Sequence, residues 1–470
     1  MTDLPEGWTE VRLDDIALSV KNGIFVSRPG VEPDGVPILR ISAVRPGRLR
    51  AEDVRYTGKS AEDLGESDSL LHPGDLLFTR YNGNIDLVGA CAIVPQGVGQ
   101  LTYPDKLIRV QTNPETASSA CIAYLLQSPQ LRSRVRALAR TTAGQAGISG
   151  ASLRSVGIPL PPLAEQRRIV AALEDHLSRL DAATRSIGEA RRRLRNLRKR
   201  VIVEAVPIHG REGWSVCSVG EAGSVDLGRQ RHPDWHQGPD MKPYLRVANV
   251  FEDRIDTTDV MEMDFPPRVF ERFRLQEGDI LLNEGQSPEF LGRPAMYRGI
   301  PAEAAFTNSL LRFRAGAGID PEWALLVFRR HMHAGRFSRE VRITTNIAHL
   351  SAGRFKAVEF PIPPLAEQRA IVGRTKDLLA GLDRLSAAVE RSERQATALR
   401  ASLLAEAFAG RLVPQDPNDE PASDLLARIR AERQAALPKQ KARSPRTRRD
   451  LAAPPTRVTG DDYQQETLPL

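Results

Sequence analysis

Hydrophobic positions along the 470 residues fall into two kinds of pattern, and each kind occurs twice. One is a series of short apolar runs, such as 36–41 and 107–110, broken by turn-forming stretches like His72-Pro73-Gly74-Asp75. Runs of this length bounded by glycine and proline predict strands. Short helical segments at 121–126 and 323–330 are interspersed, so residues 1–160 and 207–362 read as two compact α+β domains. The other pattern is a heptad. After Pro161-Pro162, the positions Val170, Leu173, Leu177, Leu180, Thr184, Ile187, Leu194 and Val201 follow three- and four-residue steps. After Pro363-Pro364, Leu378, Leu382, Leu385, Val389, Ala396, Leu399 and Leu403 do the same, with polar interruptions at Arg191, Arg198 and Ser392. Proline is tolerated in the first turn of a helix, so the pairs mark two starts. The spacing predicts long helices over 161–206 and 363–412, each about 60 Å long. A globular domain intervenes, so the two helices can return antiparallel and bury their seams in a coiled coil. A short helix is expected at 423–436 within the C-terminal segment 413–470. From Leu437 the chain is basic and proline-rich, with Lys439, Lys441, Arg443 and Arg446, and is expected to be disordered.

The two halves are copies of one unit. Leu160-Pro-Pro-Leu-Ala-Glu-Gln-Arg167 is answered by Ile362-Pro-Pro-Leu-Ala-Glu-Gln-Arg369. Weaker echoes precede it in the same order. Glu6-Gly7-Trp8 matches Glu212-Gly213-Trp214, Leu39-Arg40-Ile41 matches Leu245-Arg246-Val247, Gly74-Asp75-Leu76-Leu77 matches Gly278-Asp279-Ile280-Leu281, and Leu107-Ile108-Arg109 matches Leu310-Leu311-Arg312. The interval narrows only from 206 at Trp8/Trp214 to 202 at Leu163/Leu365. Between the echoes the halves differ freely: 78–83 reads Phe-Thr-Arg-Tyr-Asn-Gly where 282–286 reads Leu-Asn-Glu-Gly-Gln. A shared frame with divergent loops is expected of two readers of different ligands, and equally of drift after duplication.

Charge adds a class of partner. The formal net charge is +7 and the isoelectric point is near 9.5, carried by arginine more than lysine. Arginine makes bidentate contacts to phosphate and guanine, so nucleic acid is the first candidate. Cys91, Cys121 and Cys217 are odd in number and widely spaced, which argues against a disulfide framework or a zinc cluster. The start lacks a basic and apolar leader, and no apolar run approaches the roughly 20 residues of a membrane span, so a cytoplasmic protein without a membrane partner is expected.

No motif supplies catalysis. The Asn/Asp-Pro-Pro-aromatic tetrapeptide that holds a flipped adenine is missing, as is a glycine-rich cofactor loop. Gly58-Lys59-Ser60 resembles the end of a phosphate loop, but Asp53 stands where that loop needs glycine. Pro233-Asp234 with Asp240-Met241-Lys242 has the elements of a nuclease metal site, but the separation is short and the residues between suggest a loop. His232/His236 and His331/His333 lack companion ligands, so no metal is expected.

The doubled Pro-Pro-Leu-Ala-Glu-Gln-Arg motif at the head of two long helices resembles the specificity (S) subunits of type I restriction-modification enzymes. So do the paired Gly-Asp-Leu/Ile-Leu segments and the stretch 412–422, Leu-Val-Pro-Gln-Asp-Pro-Asn-Asp-Glu-Pro-Ala; the resemblance covers about 1–436. It implies that each globular part is a target recognition domain reading half of a bipartite, asymmetric site in double-stranded DNA, and that the coiled coil spaces the two. It further implies two methylation (M) subunits and two restriction/translocation (R) subunits as partners. S-adenosylmethionine, ATP and Mg would belong to those partners, this chain itself binding no cofactor and catalysing nothing. Donor-bearing side chains in glycine-punctuated loops are the candidates for DNA contact: Arg80, Tyr81, Asn82 and Lys106, with Arg40 less favoured, and Asn283, Gln286, Arg293, Asn308 and Asn346 in the second copy. Glu284 could accept from a cytosine amino group or cap a loop. Partner docking is expected at the duplicated motif, through Pro162, Leu163, Glu165, Gln166, Pro364, Leu365, Glu367 and Gln368. Other readings remain: a modification-only complex, a single-chain enzyme with an unrecognised site, and a coiled-coil scaffold that never meets DNA.

Overall fold

A computed structural model describes residues 4–142, 145–209, 211–339 and 348–436. The chain divides into two compact units: one joins the stretch up to Leu173 with the chain from Leu403 onward, and the other is the continuous run Glu174–Ser402.

The first unit is built on an antiparallel sheet with strand order Ala17–Asn22, Leu107–Thr112, Leu76–Thr79, Cys91–Ile93. Its central strands are apolar on both faces. Leu76, Phe78, Ile108 and Val110 enter one core, while Leu77, Ala92 and Leu107 enter another on the opposite face. Side chains alternate along a strand, so a sheet covered on both sides reads as a continuous apolar run. The second unit repeats this with Gly223–Leu227, Leu310–Ala315, Ile280–Asn283 and Pro294–Met296. Ile280, Leu282, Leu311 and Phe313 face one core there, and Leu281, Ala295 and Leu310 the other.

The sequence echoes are fixed points of this frame. Gly74 and Gly278 both have φ +91°, a left-handed turn that favours glycine. The carboxylates of Asp75 and Asp279 close that turn by accepting from the N–H of His72 (2.9 Å) and Gln276 (2.8 Å). The repeated arginine is buried in both copies. Arg109 donates to Asp68 (2.8 Å) and the Leu70 carbonyl (2.7 Å), and Arg312 to Asp226 (2.7 Å) and the Arg274 carbonyl (3.0 Å). The strand expected at 36–41 is shorter, Pro37–Leu39, and turns at Ile41–Ala43. There the Ser42 hydroxyl and Arg40 both reach Asp53, local bonds that favour a turn over a ladder.

The two long helices are Leu163–Ala205 and Leu365–Ala407, 43 residues each. Within the second unit they run antiparallel. Asp181 pairs with Arg400 (2.8 Å), Arg191 with Glu393 (3.4 Å) and Arg198 with Asp383, positions rising along one helix as they fall along the other. The α+β architecture with a two-helix coiled coil therefore stands, but the seam differs from the heptad reading. On the later helix Leu378, Leu385 and Leu399 are 59%, 55% and 52% exposed, and Thr184 on the earlier helix is also exposed. The buried stripe begins at Ile371, Val372, Thr375, Leu379 and Leu382, where the helix packs on the domain core rather than on its partner helix alone. A straight helix drifts about 20° per heptad from a 3.5-residue repeat, so a stripe set by the domain keeps Leu382 and leaves Leu378, Leu385 and Leu399 outside.

In the first unit the C-terminal helix Ala422–Ala436 is an integral wall. Ala422 and Leu426 join the core of the sheet, and the Ala422 N–H donates to the Gly7 carbonyl at 3.0 Å. Arg168 grips Asp419 with two bonds, at 2.6 and 3.3 Å, and Arg430 bonds Asp15 at 2.8 Å. Among the described residues no helix is long and apolar enough to cross a membrane.

Candidate nucleic-acid interface

Each central sheet has two ends with opposite character. One end is held by the start of a long helix, through the doubled sequence motif. Gln166, fully buried, donates to the carbonyls of Thr116 (3.3 Å) and Pro161 (2.9 Å) and accepts from the Ser118 N–H (2.8 Å). Gln368, also fully buried, donates to Gly318 (3.0 Å) and Pro363 (2.8 Å) and accepts from the Asp320 N–H (2.9 Å). Glu165 accepts from the Trp8 indole (2.9 Å) and Glu367 from the Trp214 indole (3.1 Å). The Glu-Gly-Trp echo and the Pro-Pro-Leu-Ala-Glu-Gln motif, about 155 residues apart in each copy, are two halves of one clasp.

This corrects the expected docking residues. Pro162, Glu165, Gln166 and Gln368 are buried inside their own units and Glu367 is half-buried against Trp214, so they present no surface to a partner. The amide of a glutamine can satisfy a loop carbonyl and a loop N–H at once, which fixes helix to sheet. Leu163 is half-buried, and only Pro364 and Leu365 are exposed, Leu365 by 38%.

The opposite end carries the divergent loops. In the first unit the backbone N–H of Arg80 bonds the Lys106 carbonyl at 2.9 Å, and the Arg80 guanidinium donates to the Asp105 carbonyl at 3.2 Å. Tyr81 and Asn82 form a short strand against Ala146 and Gly147. Arg80, Tyr81, Asn82 and Lys106 are thus gathered at one place. The Asn82 side-chain oxygen accepts from the Asn84 N–H (2.9 Å), leaving its amide donors for a ligand. Arg40 lies elsewhere, its guanidinium 3.4 Å from the Asp53 carboxylate, and the matching Arg246 makes the same pair with Asp259 (2.5 Å), so this echo is a structural ion pair.

In the second unit the Glu284 N–H bonds the Ser309 carbonyl (3.0 Å), and Gln286 pairs with Ala348 beside it, its side-chain oxygen accepting from the Ser287 N–H (3.1 Å). Asn308 is exposed at the same end, its N–H on the Arg229 carbonyl (2.9 Å). Arg293 is half-buried, its guanidinium 4.7 Å from the Phe251 ring and 5.4 Å from that of Phe290, and burial lowers its pKa. Asn283 is a correction. It is fully buried at the end of the central strand and reaches the Val250 carbonyl (3.5 Å), so it supports the loop rather than meeting a ligand. Asn346 lies outside the described residues.

Three residues at this end escaped the sequence reading. Arg140 and Gln145 line a concavity of about 410 Å³ beside Tyr81. His349 stands opposite Gly285, with its Nδ1 3.1 Å from the Glu284 carboxylate. They lie some 60 residues from the loops they adjoin, and only strand pairing brings them there. The end is therefore a surface of guanidinium, amide, phenol and carboxylate groups, able to meet phosphates and base edges. Among the described residues no group of three His, Cys, Asp or Glu could hold a metal ion. Burial drives the Cys121 thiol up to about 12, far from a reactive thiolate.

Comparison with known proteins finds relatives of one kind. Residues 5–189 match the family model described as the type I restriction modification DNA specificity domain. The chain is 36% identical over 197 residues to the EcoKI specificity subunit of Escherichia coli K12, a match spanning 42% of each chain. It is 23% identical over 461 residues to the StySPI specificity subunit of Salmonella potsdam, covering 92% of this chain and 96% of that one. A chain from a solved type I restriction-modification system, studied for complex assembly and conformational transition, superposes with a TM-score of 0.69 over 87% of this chain and 100% of its own, at 20% identity. The HsdS subunit of Thermoanaerobacter tengcongensis gives 0.50 over 87% and 98%, also at 20%. At that identity the two superpositions show a shared fold.

Proposed function

Because the chain belongs to the specificity subunits of type I restriction-modification enzymes, we propose that it is the sequence-specific DNA-binding subunit of such a complex, each unit reading one half of a bipartite, asymmetric site. One observation carries this reading: two copies of a single frame, clasped to a helix at one end, carry different polar side chains at the other. Arg80, Tyr81, Asn82 and Lys106 would meet one half-site, and Gln286, Asn308 and Glu284 the other. The bases between would be spanned by helix length and left unread. The subunit contributes recognition and no catalysis. Two methylation subunits bearing S-adenosylmethionine, and two restriction subunits using ATP and Mg, would act on the DNA it positions. Leu365, Leu378, Leu385 and Leu399 of the later helix are exposed apolar groups that a methylation subunit would cover.

The test is to map methylated adenines genome-wide in cells carrying the Arg80→Ala, Asn82→Ala double variant. One half-site should relax, each lost base contact costing about 1–3 kcal/mol, while the other keeps its sequence. If both halves lose specificity while the protein remains folded, the two-reader arrangement is wrong.

A further inference from the structure

In each unit the short strand after the central strand pairs with a short later strand, which in the first unit closes a hairpin, and this ladder sets one aromatic ring against one glycine. In the first unit Tyr81 is opposite Gly147; in the second Gly285 is opposite His349. The ring is supplied by the earlier strand in one copy and by the later strand in the other. At Gly147 a β-carbon would stand 2.4 Å from the Tyr81 ring, so a bare backbone is what lets the ring lie across the ladder.

Beside each ring the frame places one charged side chain, at the same structural position. The N–H groups of Arg80 and Glu284 bond the carbonyls of Lys106 and Ser309 at 2.9 and 3.0 Å. Their own carbonyls accept from Ile148 and Leu350 at 2.9 and 2.7 Å. The chemistry is inverted. The Arg80 guanidinium lies 4.7 Å over the Tyr81 ring, whereas the Glu284 carboxylate bonds the His349 ring at 3.1 Å. Tyr81 is 37% exposed, and the His349 side chain 64%, so both ladders are open to a ligand.

We propose that this slot is the base-reading position of both units, donor-bearing in the first and acceptor-bearing in the second. Arg80 reads guanine and Glu284 reads cytosine, with Tyr81 and His349 as the positioning residues. The assignment rests on the reading above that each unit meets one half-site. One amine of the Arg80 guanidinium is held by the Asp105 carbonyl (3.2 Å), and its remaining outer N–H groups match the O6 and N7 acceptors of guanine in the major groove, while a carboxylate accepts from the N4 amino group of cytosine. DNA phosphates repel a carboxylate, so an acid at this position gains only where an amino donor meets it. The bond from His349 holds one face of that carboxylate and leaves the remaining lone pairs for the base. In the first unit the concavity lined by Tyr81, Arg140 and Gln145 gives a base edge room beside the ring.

The experiment uses the complex assembled with its methylation partner, in competition binding against duplexes varied at each base of the mapped site. Arg80→Lys keeps the charge and loses the fork. It should reduce discrimination for guanine at one position of one half-site roughly 5- to 150-fold. Glu284→Gln should do the same for cytosine in the other half-site. His349→Ala should weaken that same position, and the double variant should be little worse than Glu284→Gln alone, a non-additivity that a purely structural histidine would not give. Unchanged discrimination in complexes that assemble, or a uniform loss over all duplexes, overturns the assignment and leaves the two-half reading intact. A substitution in one unit that alters both half-sites overturns the two-half reading instead.

Discussion

Glu165 is only 1% exposed, and one of its carboxylate oxygens meets no hydrogen-bond partner. Burial raises its pKa, and the Trp8 indole and Arg168 offset this only in part. A raised folded-state pKa means that the unit favours the protonated acid. That contribution to stability is fully present below the ordinary glutamate range and is lost as pH rises through the folded value. Glu165→Gln keeps an oxygen for the Trp8 indole and removes the charge. It should therefore raise the unfolding midpoint of the first unit at pH 7, by a margin that shrinks towards pH 4. Denaturant unfolding followed across that range measures this, and a variant destabilised at pH 7 would contradict it. A surface docking role predicts the reverse pattern, unchanged stability with lost assembly. The misreading of this motif has a physical origin. A Glu-Gln pair in the first turn of a helix has the composition of a solvated helix start, and its partners at Trp8 and 116–118 are remote in sequence. The repeated Glu-Gly-Trp was visible at the sequence level, but nothing in it shows that the two echoes touch.

Elements were more legible than residues. Pro161-Pro162 and Pro363-Pro364 announce both long helices, which begin at Leu163 and Leu365. The doubly covered strands Leu76–Thr79 and Ile280–Asn283 announce themselves as continuous apolar runs. What periodicity could not supply was the direction in which each helix turns its stripe, because the domain core as well as the second helix competes for it. Leu378 and Leu379 illustrate this: adjacent residues, one 59% and the other 6% exposed. If helix length sets the unread spacer, inserting Thr-Ala-Glu-Leu after Glu204 adds about 6 Å at 1.5 Å per residue. Against about 3.4 Å per base pair, the spacer should lengthen by one or at most two base pairs. Both half-sequences should persist, since neither reading end changes. Methylome mapping of the insertion variant reads this directly, and an active variant with an unchanged spacer would remove the helices from that role.

At the scale of the whole molecule, duplication was evident from the motifs, whereas the division of the chain was not. Asn283 shows the limit for the site: aligned with loop residues, it sits in the core one step before them, a one-residue difference that alignment of echoes cannot resolve. The two copies also differ in how they are assembled from sequence. The second is one uninterrupted run, but the first needs the chain beyond Leu403, whose helix supplies part of its core and binds Gly7. Synthesis on the ribosome therefore inverts their order. The copy encoded first waits for roughly 230 more residues, on the order of 10–50 s at bacterial elongation rates. A chain released at Ser402 should yield a protease-resistant fragment from the second unit, with the first digested rapidly; equal protection of both would refute this. In the cell, that interval makes the earlier-translated copy the client of chaperones and proteases, so mutations in the last thirty described residues would act on abundance through a domain whose first stretch ends more than two hundred residues upstream.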